Sequence, residues 1–217
     1  MIKAVLFDVD GTLVDSNDAH ARAWVEAFAE AGIRVSYDKV RRAIGMGGDK
    51  LMPAVARLSE DSPEGQRIAK RRQEIFAQKY LPHIRPLPGA SDLVRALKAR
   101  AYTLVAASSA KKEELQPLLK IAGVDGLLDA ATSSDDAEES KPDPDIVQAA
   151  LKRAHTQPHE AIMIGDTPYD VEAARAAGVR VIALRSGGWT EEDLRGADAV
   201  YDDPADLLAN LDDSPAR

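Results

Sequence analysis

Two aspartates lie one residue apart directly after an apolar run near the start of the chain. The stretch VLFDVDGTLV places Asp8 and Asp10 behind the run VLF, and a glycine and a threonine follow. Because side chains alternate along an extended strand, both carboxylates face one side and Val9 faces the other. Asp-Gly is also a common turn signal, so this stretch alone is equally well explained as a tight turn. A chemical role for the two aspartates therefore depends on which side chains follow the other predicted strands.

Three further segments place polar side chains at the ends of predicted strands or in loops. Ser108 and Ser109 follow the run YTLVAA and lead into a predicted helix, and Lys141 lies in the loop ESKPDPD. Asp166 and Asp170 follow the run AIMIG in the stretch GDTPYD. Each has an ordinary structural explanation, as a helix cap, a dipole partner or a surface loop residue. We favour a shared site, because parallel α/β sheets bind ligands at the carboxyl ends of their strands.

The elements that must position these side chains alternate between short apolar runs and helical stretches. The predicted strands are 2–8, 102–107, 127–131, 161–165, 179–184 and 198–201. The predicted helices between them are 89–100, 111–122, 143–155, 168–177 and 204–211. Alternation at this spacing predicts right-handed crossovers and an α/β fold, with a Rossmann-like, doubly wound parallel sheet between two helical layers.

Residues 15–86 interrupt this alternation, because their apolar residues recur only at helical spacing. One helix is predicted in AHARAWVEAFAEAG, and others are predicted around 37–44, 49–59 and 64–80. The segment YLPHIRPLPGA carries three prolines and is typical of a hinge that returns to the sheet. We therefore predict a core domain formed by 1–14 and 87–217, with an inserted all-helical cap domain at 15–86.

Composition and charge narrow the classes of partner. The chain has 217 residues, of which 45% are apolar and 29% charged, a formal net charge of −8 and no cysteine. The acidic excess argues against a nucleic-acid partner, which requires a surplus of Lys and Arg on one face. No apolar run approaches the roughly 20 residues of a membrane span, and the first residues lack the apolar centre of a signal peptide. We expect a cytoplasmic monomer or weak dimer without thiolate sites or disulfides.

Four carboxylates at one sheet edge cannot all stay ionised without compensation. Together the four aspartates carry −4, and Lys141 returns only +1. Like charges at this distance disfavour joint ionisation. A divalent cation reduces the sum to −1, and a set of oxygen ligands favours a hard ion such as Mg²⁺ that retains several waters. A site of this kind is ready to receive a phosphate dianion.

The order of these motifs resembles the haloacid dehalogenase superfamily, in the subgroup with a helical cap inserted after the first strand. FDVDGTLVDS is similar to the first motif, AASSA to the Ser/Thr motif, SKPDPD to the lysine motif and IGDTPYDVEAARAAG to the final acidic motif. DSNDAHARAW, with His20 and Trp24, resembles the start of the cap in phosphoglycolate phosphatase-like and β-phosphoglucomutase-like members. The likeness covers essentially the whole chain.

The resemblance implies a role for each residue of the core. Asp8 would be the nucleophile that forms an aspartyl phosphate. Asp10 would protonate the leaving oxygen and then activate water as a general base. Ser108 would bind phosphoryl oxygens together with backbone N–H groups at its helix start, and Lys141 would neutralise the nucleophile and the transferring group. The implied magnesium ligands are Asp8, the carbonyl oxygen of Asp10, Asp166 and, directly or through water, Asp170.

Substrate contacts are expected from the core loops and from the cap. The expected substrate-binding residues are Gly11, Thr12, Ser109, His20, Arg42 and Lys50. In RRAIGMGGDKL two adjacent glycines lie between cap helices, where a loop with cations at both ends can approach an acidic or phosphorylated leaving group. The two cations are equally well explained as solvent-facing, and His20 is more often a satisfied polar residue beside Trp24 than a catalyst.

Among the activities of the superfamily, the residues favour a phosphatase. Dehalogenases lack the second aspartate, which is present here as Asp10. Phosphonate-cleaving members use an activated cap lysine, and nothing identifies Lys39 or Lys50 as one. Phosphoglycolate phosphatases usually have Thr-Asn where this chain has Ser108-Ser109, so phosphoglycolate itself is not assigned. We expect a Mg²⁺-dependent phosphomonoester hydrolase that acts on a small phosphorylated metabolite through an aspartyl phosphate.

Two alternatives remain open from the sequence. A β-phosphoglucomutase-type sugar phosphate mutase is the closest rival, although such mutases commonly read DGV where this chain reads DGT. A phospho-receiver signalling domain also combines an acidic pocket, a phosphorylatable Asp, a Ser/Thr and a Lys on a doubly wound sheet. The inserted helical segment and the second aspartate both argue against a receiver.

Overall fold

The computed structural model describes residues 1–216 and contains a six-stranded parallel sheet. The strands are β1 (Ala4–Phe7), β2 (Thr103–Ala107), β3 (Ala130–Thr132), β4 (Ala161–Gly165), β5 (Arg180–Leu184) and β6 (Ala199–Tyr201). Their spatial order is β3-β2-β1-β4-β5-β6. The chain runs outward from β1 to β3 and then crosses to β4 on the other side of β1, so the strand order reverses there. The predicted Rossmann-like, doubly wound sheet is confirmed.

The α-helices of the described residues flank this sheet or form the insertion. They are α1 (Asn17–Glu30), α2 (Tyr37–Arg41), α3 (Gly48–Ala56), α4 (Pro63–Ile75), α5 (Ala90–Ala99), α6 (Lys112–Ile121), α7 (Asp145–Ala154), α8 (Pro168–Ala176) and α9 (Pro204–Ala209). Contacts divide the chain into two compact units, one of Met1–Asp15 with the chain from Arg85 onward and one of Ser16–Ile84. None of the helices in residues 1–216 is long and apolar enough to cross a membrane.

The central strands are apolar at nearly every position, as a sheet covered on both faces requires. All residues of β1 (AVLF) and β4 (AIMIG) are buried. Ala4 and Leu6 of β1 belong to a cluster with apolar residues of α7 and α8, and the alternate residues Val5 and Phe7 are fully buried on the opposite face. Burial of each large apolar side chain contributes about 1.5–3 kcal/mol, so the central strands form a stable platform for the loops that follow them.

The secondary-structure elements of the unit Ser16–Ile84 are all helices, as predicted for the insertion. Helix α1 packs against α2 and α4, and Trp24 and Phe28 lie on its buried face. A π-helix at Phe76–Tyr80 continues α4, and a 3₁₀ turn at Leu81–His83 follows. The Phe76 side chain is fully buried, and its ring stacks on His20 of α1 with 4.0 Å between the centroids.

The largest shift from the predicted elements is at β3, which was expected at 127–131 and spans Ala130–Thr132. The apolar pair Leu127 and Leu128 belongs to a turn, because both amides donate to the carbonyl oxygen of Val124. Asp129 then joins the sheet edge to β2: its N–H donates to the Leu104 carbonyl at 2.8 Å, and its Oδ2 accepts from Leu104 N at 2.9 Å. The strand was predicted too early in the chain because the turn and the short edge strand are both apolar.

Candidate active site

The site lies at the carboxyl ends of β1 and β4, two adjacent central strands. Phe7 and Ile164 are register partners, and Asp8 and Asp166 directly follow these two strands. Asp8 is tied to β4 by its N–H, which donates to the Ile164 carbonyl at 2.8 Å. Because the strand order reverses at β1, this edge is the topological switch point, where open α/β sheets bind ligands.

Three buried carboxylates converge at this edge. Asp8, Asp166 and Asp170 each offer one oxygen atom, and these atoms lie within 4.8 Å of one another. Asp170 belongs to the first turn of α8, where Thr167 is the N-cap: Thr167 Oγ1 accepts from Asp170 N and donates to Asp170 Oδ2 at 2.7 Å. The exposed fraction of all three aspartates is 7% or less, so water compensates little of their charge.

Lys141 is the cation that faces this cluster, and its side chain is fully buried. Lys141 Nζ donates to Asp8 Oδ1 at 2.6 Å and lies 2.7 Å from Asp170 Oδ1. The latter contact is an ion pair without hydrogen-bond geometry, so Asp170 Oδ1 has no hydrogen-bond donor. Three carboxylates and one ammonium leave a charge of −2, which one divalent cation neutralises. The oxygen-only donor set and this buried oxygen fit a hard ion such as Mg²⁺.

The charges of this cluster shift the pKa values of Asp8 and Lys141. The pKa of Asp8 is raised from 3.8 to about 7, mainly by burial; Lys141 opposes this increase, and the carboxylates of Asp170 and Asp10 add to it. Burial alone would lower the pKa of Lys141, but Asp170 and Asp8 outweigh it and the pKa lies above its usual value. Lys141 is therefore charged, whereas Asp8 is only partly ionised near neutral pH unless another cation is present.

Because the pKa of Asp8 is raised, we expect the stabilisation of the fold by a bound metal ion to depend on pH. Since the folded-state pKa of about 7 exceeds the unfolded value of 3.8, the stability that Asp8 contributes is full below pH 3.8 and is lost as the pH rises through 7. A cation bound to the ionised cluster competes with that proton. We expect the increase in Tm caused by Mg²⁺ to grow between about pH 5.5 and pH 8.

Thermal unfolding of the protein with and without Mg²⁺ across this range measures the effect. Asp8→Asn removes the titrating group. We expect Mg²⁺ to raise the Tm of this variant less than that of wild type, and this increase should vary much less with pH. A wild-type shift of the same size at every pH would contradict the account.

The stretch DVDGT after β1 forms a tight turn and also carries the acidic pair. The amides of Leu13 and Val14 donate to the carbonyl of Val9, and Gly11 adopts a left-handed φ of +78°. Thr12 is fully buried, and its Oγ1 donates to Asp166 Oδ1 at 3.1 Å. The turn and the site, which were alternative explanations of the sequence, are therefore one structure.

Ser108 follows β2, the other neighbour of β1, and is buried. Its Oγ accepts from Ala110 N at 3.1 Å, and its N–H donates to the Thr132 carbonyl of β3. Helix α6 spans Lys112–Ile121, close to the predicted 111–122, and has Lys111 at its N-cap, so Ser108 lies in the turn before the helix and is not its N-cap. A short turn separates strand and helix because the Ser108 hydroxyl binds the backbone two residues ahead. Ser109, next to it, is partly buried.

The other expected substrate contacts belong to the inserted unit. His20 is buried in α1 against Phe76, Arg42 follows α2, and Lys50 lies in the first turn of α3. Arg42 is exposed, and Lys50 is partly buried. The structure thus brings together Asp8, Asp166, Asp170, Lys141 and Thr12 in the core. The substrate contacts of the three inserted residues remain predictions.

Sequence reasoning missed three residues that contact this cluster. Thr167 caps Asp170, and the pattern Thr-x-x-Asp at a helix start could have identified it. Ser186 and Gly187, in the turn after β5, contact the Asp8–Thr12 loop and Asp166. Their only signal was a Ser-Gly-Gly run at the carboxyl end of a central strand, which is typical of any loop.

Comparison with known proteins identifies close similarities over nearly the whole chain. A family model described as haloacid dehalogenase-like hydrolase matches residues 5–184. A phosphoglycolate phosphatase of Aquifex aeolicus is 29% identical, with 97% of each chain covered. The chain is also 36% identical to part of the chloroplastic protein SUPPRESSOR OF QUENCHING 1 of Arabidopsis thaliana, and the match spans 18% of that relative.

Solved structures are similar over the same extent. The crystal structure of a hydrolase from Pseudomonas syringae superposes with a TM-score of 0.91 at 30% identity, and the match covers 97% of this chain and 98% of that one. A proposed β-phosphoglucomutase from Bacteroides vulgatus superposes with a TM-score of 0.87 at 26% identity, and the match covers 97% and 88% of the two chains.

Proposed function

The chain belongs to the haloacid dehalogenase-like hydrolases and hydrolyses phosphoric monoesters, and we propose that it acts with Mg²⁺ on a small phosphorylated metabolite through an aspartyl phosphate on Asp8. The observation that carries this proposal is the buried cluster of Asp8, Asp166 and Asp170 against Lys141 at the switch point of the sheet. A buried cluster with a deficit of positive charge is suited to a cation and a phosphoryl group rather than to structural stability.

In the first step, a carboxylate oxygen of Asp8 attacks phosphorus and the bond from phosphorus to the ester oxygen breaks. Asp10, as a carboxylic acid, gives its proton to the departing oxygen, so the alcohol leaves in neutral form. The position of Asp10 two residues after Asp8, with Val9 buried between them, supports this division of roles. The products are the free alcohol and an aspartyl phosphate on Asp8.

In the second step, the Asp10 carboxylate takes a proton from water, and the resulting hydroxide attacks phosphorus. The bond between phosphorus and the Asp8 oxygen breaks, which releases inorganic phosphate and restores the Asp8 carboxylate. Lys141, already hydrogen-bonded to Asp8 at 2.6 Å, offsets the negative charge on the transferring group in both steps. The buried hydroxyl of Ser108 is suited to bind a phosphoryl oxygen at the same sheet edge.

The residues that would hold Mg²⁺ are Asp8, the carbonyl oxygen of Asp10, Asp166 and, directly or through water, Asp170. The ion would supply charge shielding and a fixed orientation of the phosphoryl group when bound. The core residues account for the reaction class but not for the choice of substrate. We assign that choice to the inserted helical unit, where Arg42, Lys50 and His20 are the candidates for contacts with the leaving group.

The experiment that tests this function measures phosphate release from a panel of phosphate esters with Mg²⁺. The panel includes phosphoglycolate, sugar phosphates, nucleotides and pyrophosphate, and an aryl phosphate serves as the general probe. We expect turnover of at least one small metabolite, its loss in EDTA and its recovery when Mg²⁺ is added back. Absence of phosphate release from every ester in the presence of Mg²⁺ would contradict the proposal.

A sugar phosphate mutase is the second candidate, and the likeness to the Bacteroides vulgatus structure favours it. The aspartyl phosphate would then be returned to a second hydroxyl of the sugar instead of to water. Product analysis with β-glucose 1-phosphate separates the two: a mutase gives an isomeric sugar phosphate, and a phosphatase gives inorganic phosphate. The match to a hydrolase family favours the phosphatase, and it also favours an enzyme over a phospho-receiver domain.

A further inference from the structure

A short turn after β5, Arg185–Gly187, lies against the acidic cluster although it carries no acidic residue. Strand β5 is the neighbour of β4, so its carboxyl end is at the same sheet edge as Asp166. Two of the three residues of this turn contact the site, one by its backbone and the other by its side chain. The roles assigned above to the core residues use neither of them.

Gly187 approaches the Asp166 carboxylate so closely that no side chain fits. A Cβ at this position would lie 2.0 Å from Asp166 Oδ2 and 2.7 Å from the Asp166 carbonyl oxygen. The backbone of Gly187 is not in the left-handed region, so alanine would meet no φ strain there, only this collision. Asp166 has little freedom to move aside, because it is fully buried and Thr12 Oγ1 binds its other carboxylate oxygen.

Ser186 contacts the loop after β1, which carries Asp8 and Asp10. Its Oγ donates to the Gly11 carbonyl oxygen at 2.7 Å, across 175 positions in the sequence. Gly11 immediately follows Asp10 and has a left-handed φ of +78°. Its carbonyl group therefore lies at the bend of the turn that carries both aspartates. One short turn therefore contacts the β1 loop through Ser186 and the β4 loop through Gly187.

We propose that Ser186 and Gly187 are positioning residues that hold the Asp8–Asp10 turn and the Asp166 carboxylate at the mutual distance that a divalent cation requires. The inference rests on the proposed function and extends it to residues outside the four motifs. Residues that orient metal ligands alter metal affinity by about 10- to 100-fold when they are replaced. Binding of Mg²⁺ to the protein, without substrate, is therefore the direct readout.

The test is calorimetric titration of the whole protein with Mg²⁺, alongside kcat and KM for the aryl phosphate. We expect Gly187→Ala to weaken Mg²⁺ binding at least about tenfold and Ser186→Ala to weaken it about threefold to tenfold. Ser186→Thr keeps the hydroxyl and should bind Mg²⁺ within about twofold of wild type. In both alanine variants the apparent requirement for Mg²⁺ in turnover should rise in parallel with the dissociation constant.

Two glycines provide matched controls. Gly65→Ala creates an equally close collision, 2.1 Å from the Ser59 carbonyl oxygen, but within the inserted unit. It should lower Tm and leave Mg²⁺ affinity unchanged, which separates positioning from general loss of stability. Gly126→Ala meets no atom within 4 Å and should change neither quantity.

The outcomes distinguish failure of the positioning role from failure of the function. If wild type binds Mg²⁺ but Gly187→Ala and Ser186→Ala bind it equally tightly, the positioning role is overturned and the proposed function stands. If wild type itself binds no Mg²⁺, both are overturned. If circular dichroism shows that Gly187→Ala does not fold, Ser186→Ala and its threonine rescue decide the question.

Discussion

Replacing Asp8 with asparagine is expected to lower kcat by about 10⁴-fold or more while the protein stays folded. The amide has nearly the shape of the carboxylate, but it cannot attack phosphorus or form the acyl phosphate. The substitution also removes a buried group whose pKa is raised to about 7, so it relieves a charge that the metal-free fold tolerates poorly. Loss of activity should therefore not be accompanied by loss of stability.

Steady-state turnover of the aryl phosphate and urea unfolding of the same preparations check this expectation. Asp212→Asn is the matched control, because its carboxylate is exposed and pairs with Arg100 at the surface. That variant should keep wild-type turnover. Substantial activity in Asp8→Asn, with the control unchanged, would rule out Asp8 as the nucleophile.

Lys141→Met should cause the second large effect, on stability and on rate together. Methionine fills a similar volume but leaves the carboxylates of Asp8 and Asp170 without their common cation in a buried site. Removing one partner of a buried ion pair costs about 3–5 kcal/mol. Loss of a preorganised charge beside the transferring group should lower kcat by about 10²- to 10³-fold. Mg²⁺ should recover part of the stability, because it supplies positive charge to the same carboxylates.

Lys98→Met is the control for this prediction. Lys98 also pairs with an aspartate, Asp129, but both side chains are about two-fifths exposed to solvent. Exposed pairs contribute about 0.2–1 kcal/mol, so this variant should unfold close to wild type and keep full activity. Equal loss of stability in the two variants, measured by urea unfolding in EDTA, would show that Lys141 is not the specific counterion of the cluster.

The sequence was sufficient to predict the sheet and the residues at its carboxyl edge. Strand alternation and helical spacing are local patterns, and the switch-point rule then places Asp8 and Asp166 on adjacent loops. All six strands were predicted, although β3 was displaced because Leu127 and Leu128 belong to a turn. The helix predicted at 111–122 is confirmed as Lys112–Ile121, but Ser108 is not its N-cap, because the Ser108 hydroxyl accepts from the backbone N–H of Ala110 in the turn before the helix.

Ser186 and Gly187 were beyond what sequence patterns reveal. Their importance arises from contacts with Gly11 and Asp166, and neither a serine nor a glycine in a loop has a periodicity or a charge that marks it. Thr12 is a similar case. We expected it to contact substrate from its place in the first motif, but in the structure its hydroxyl contacts Asp166. Long-range contacts of small polar residues depend on the packed backbone, which no local pattern encodes.

The central claim is that a phosphoryl group passes through Asp8, and trapping it on the protein tests this most directly. Asp10→Asn removes the proposed acid of the first step and the base of the second. An aryl oxide leaves with little help from an acid, so the aspartyl phosphate should accumulate when this variant is mixed with the aryl phosphate and Mg²⁺ and quenched in acid. Peptide mass spectrometry should find one phosphoryl group on Asp8, and the Asp8→Asn variant should carry none. A phosphoryl group on another residue, or no labelled Asp8 peptide in Asp10→Asn although wild type releases phosphate, would contradict the account.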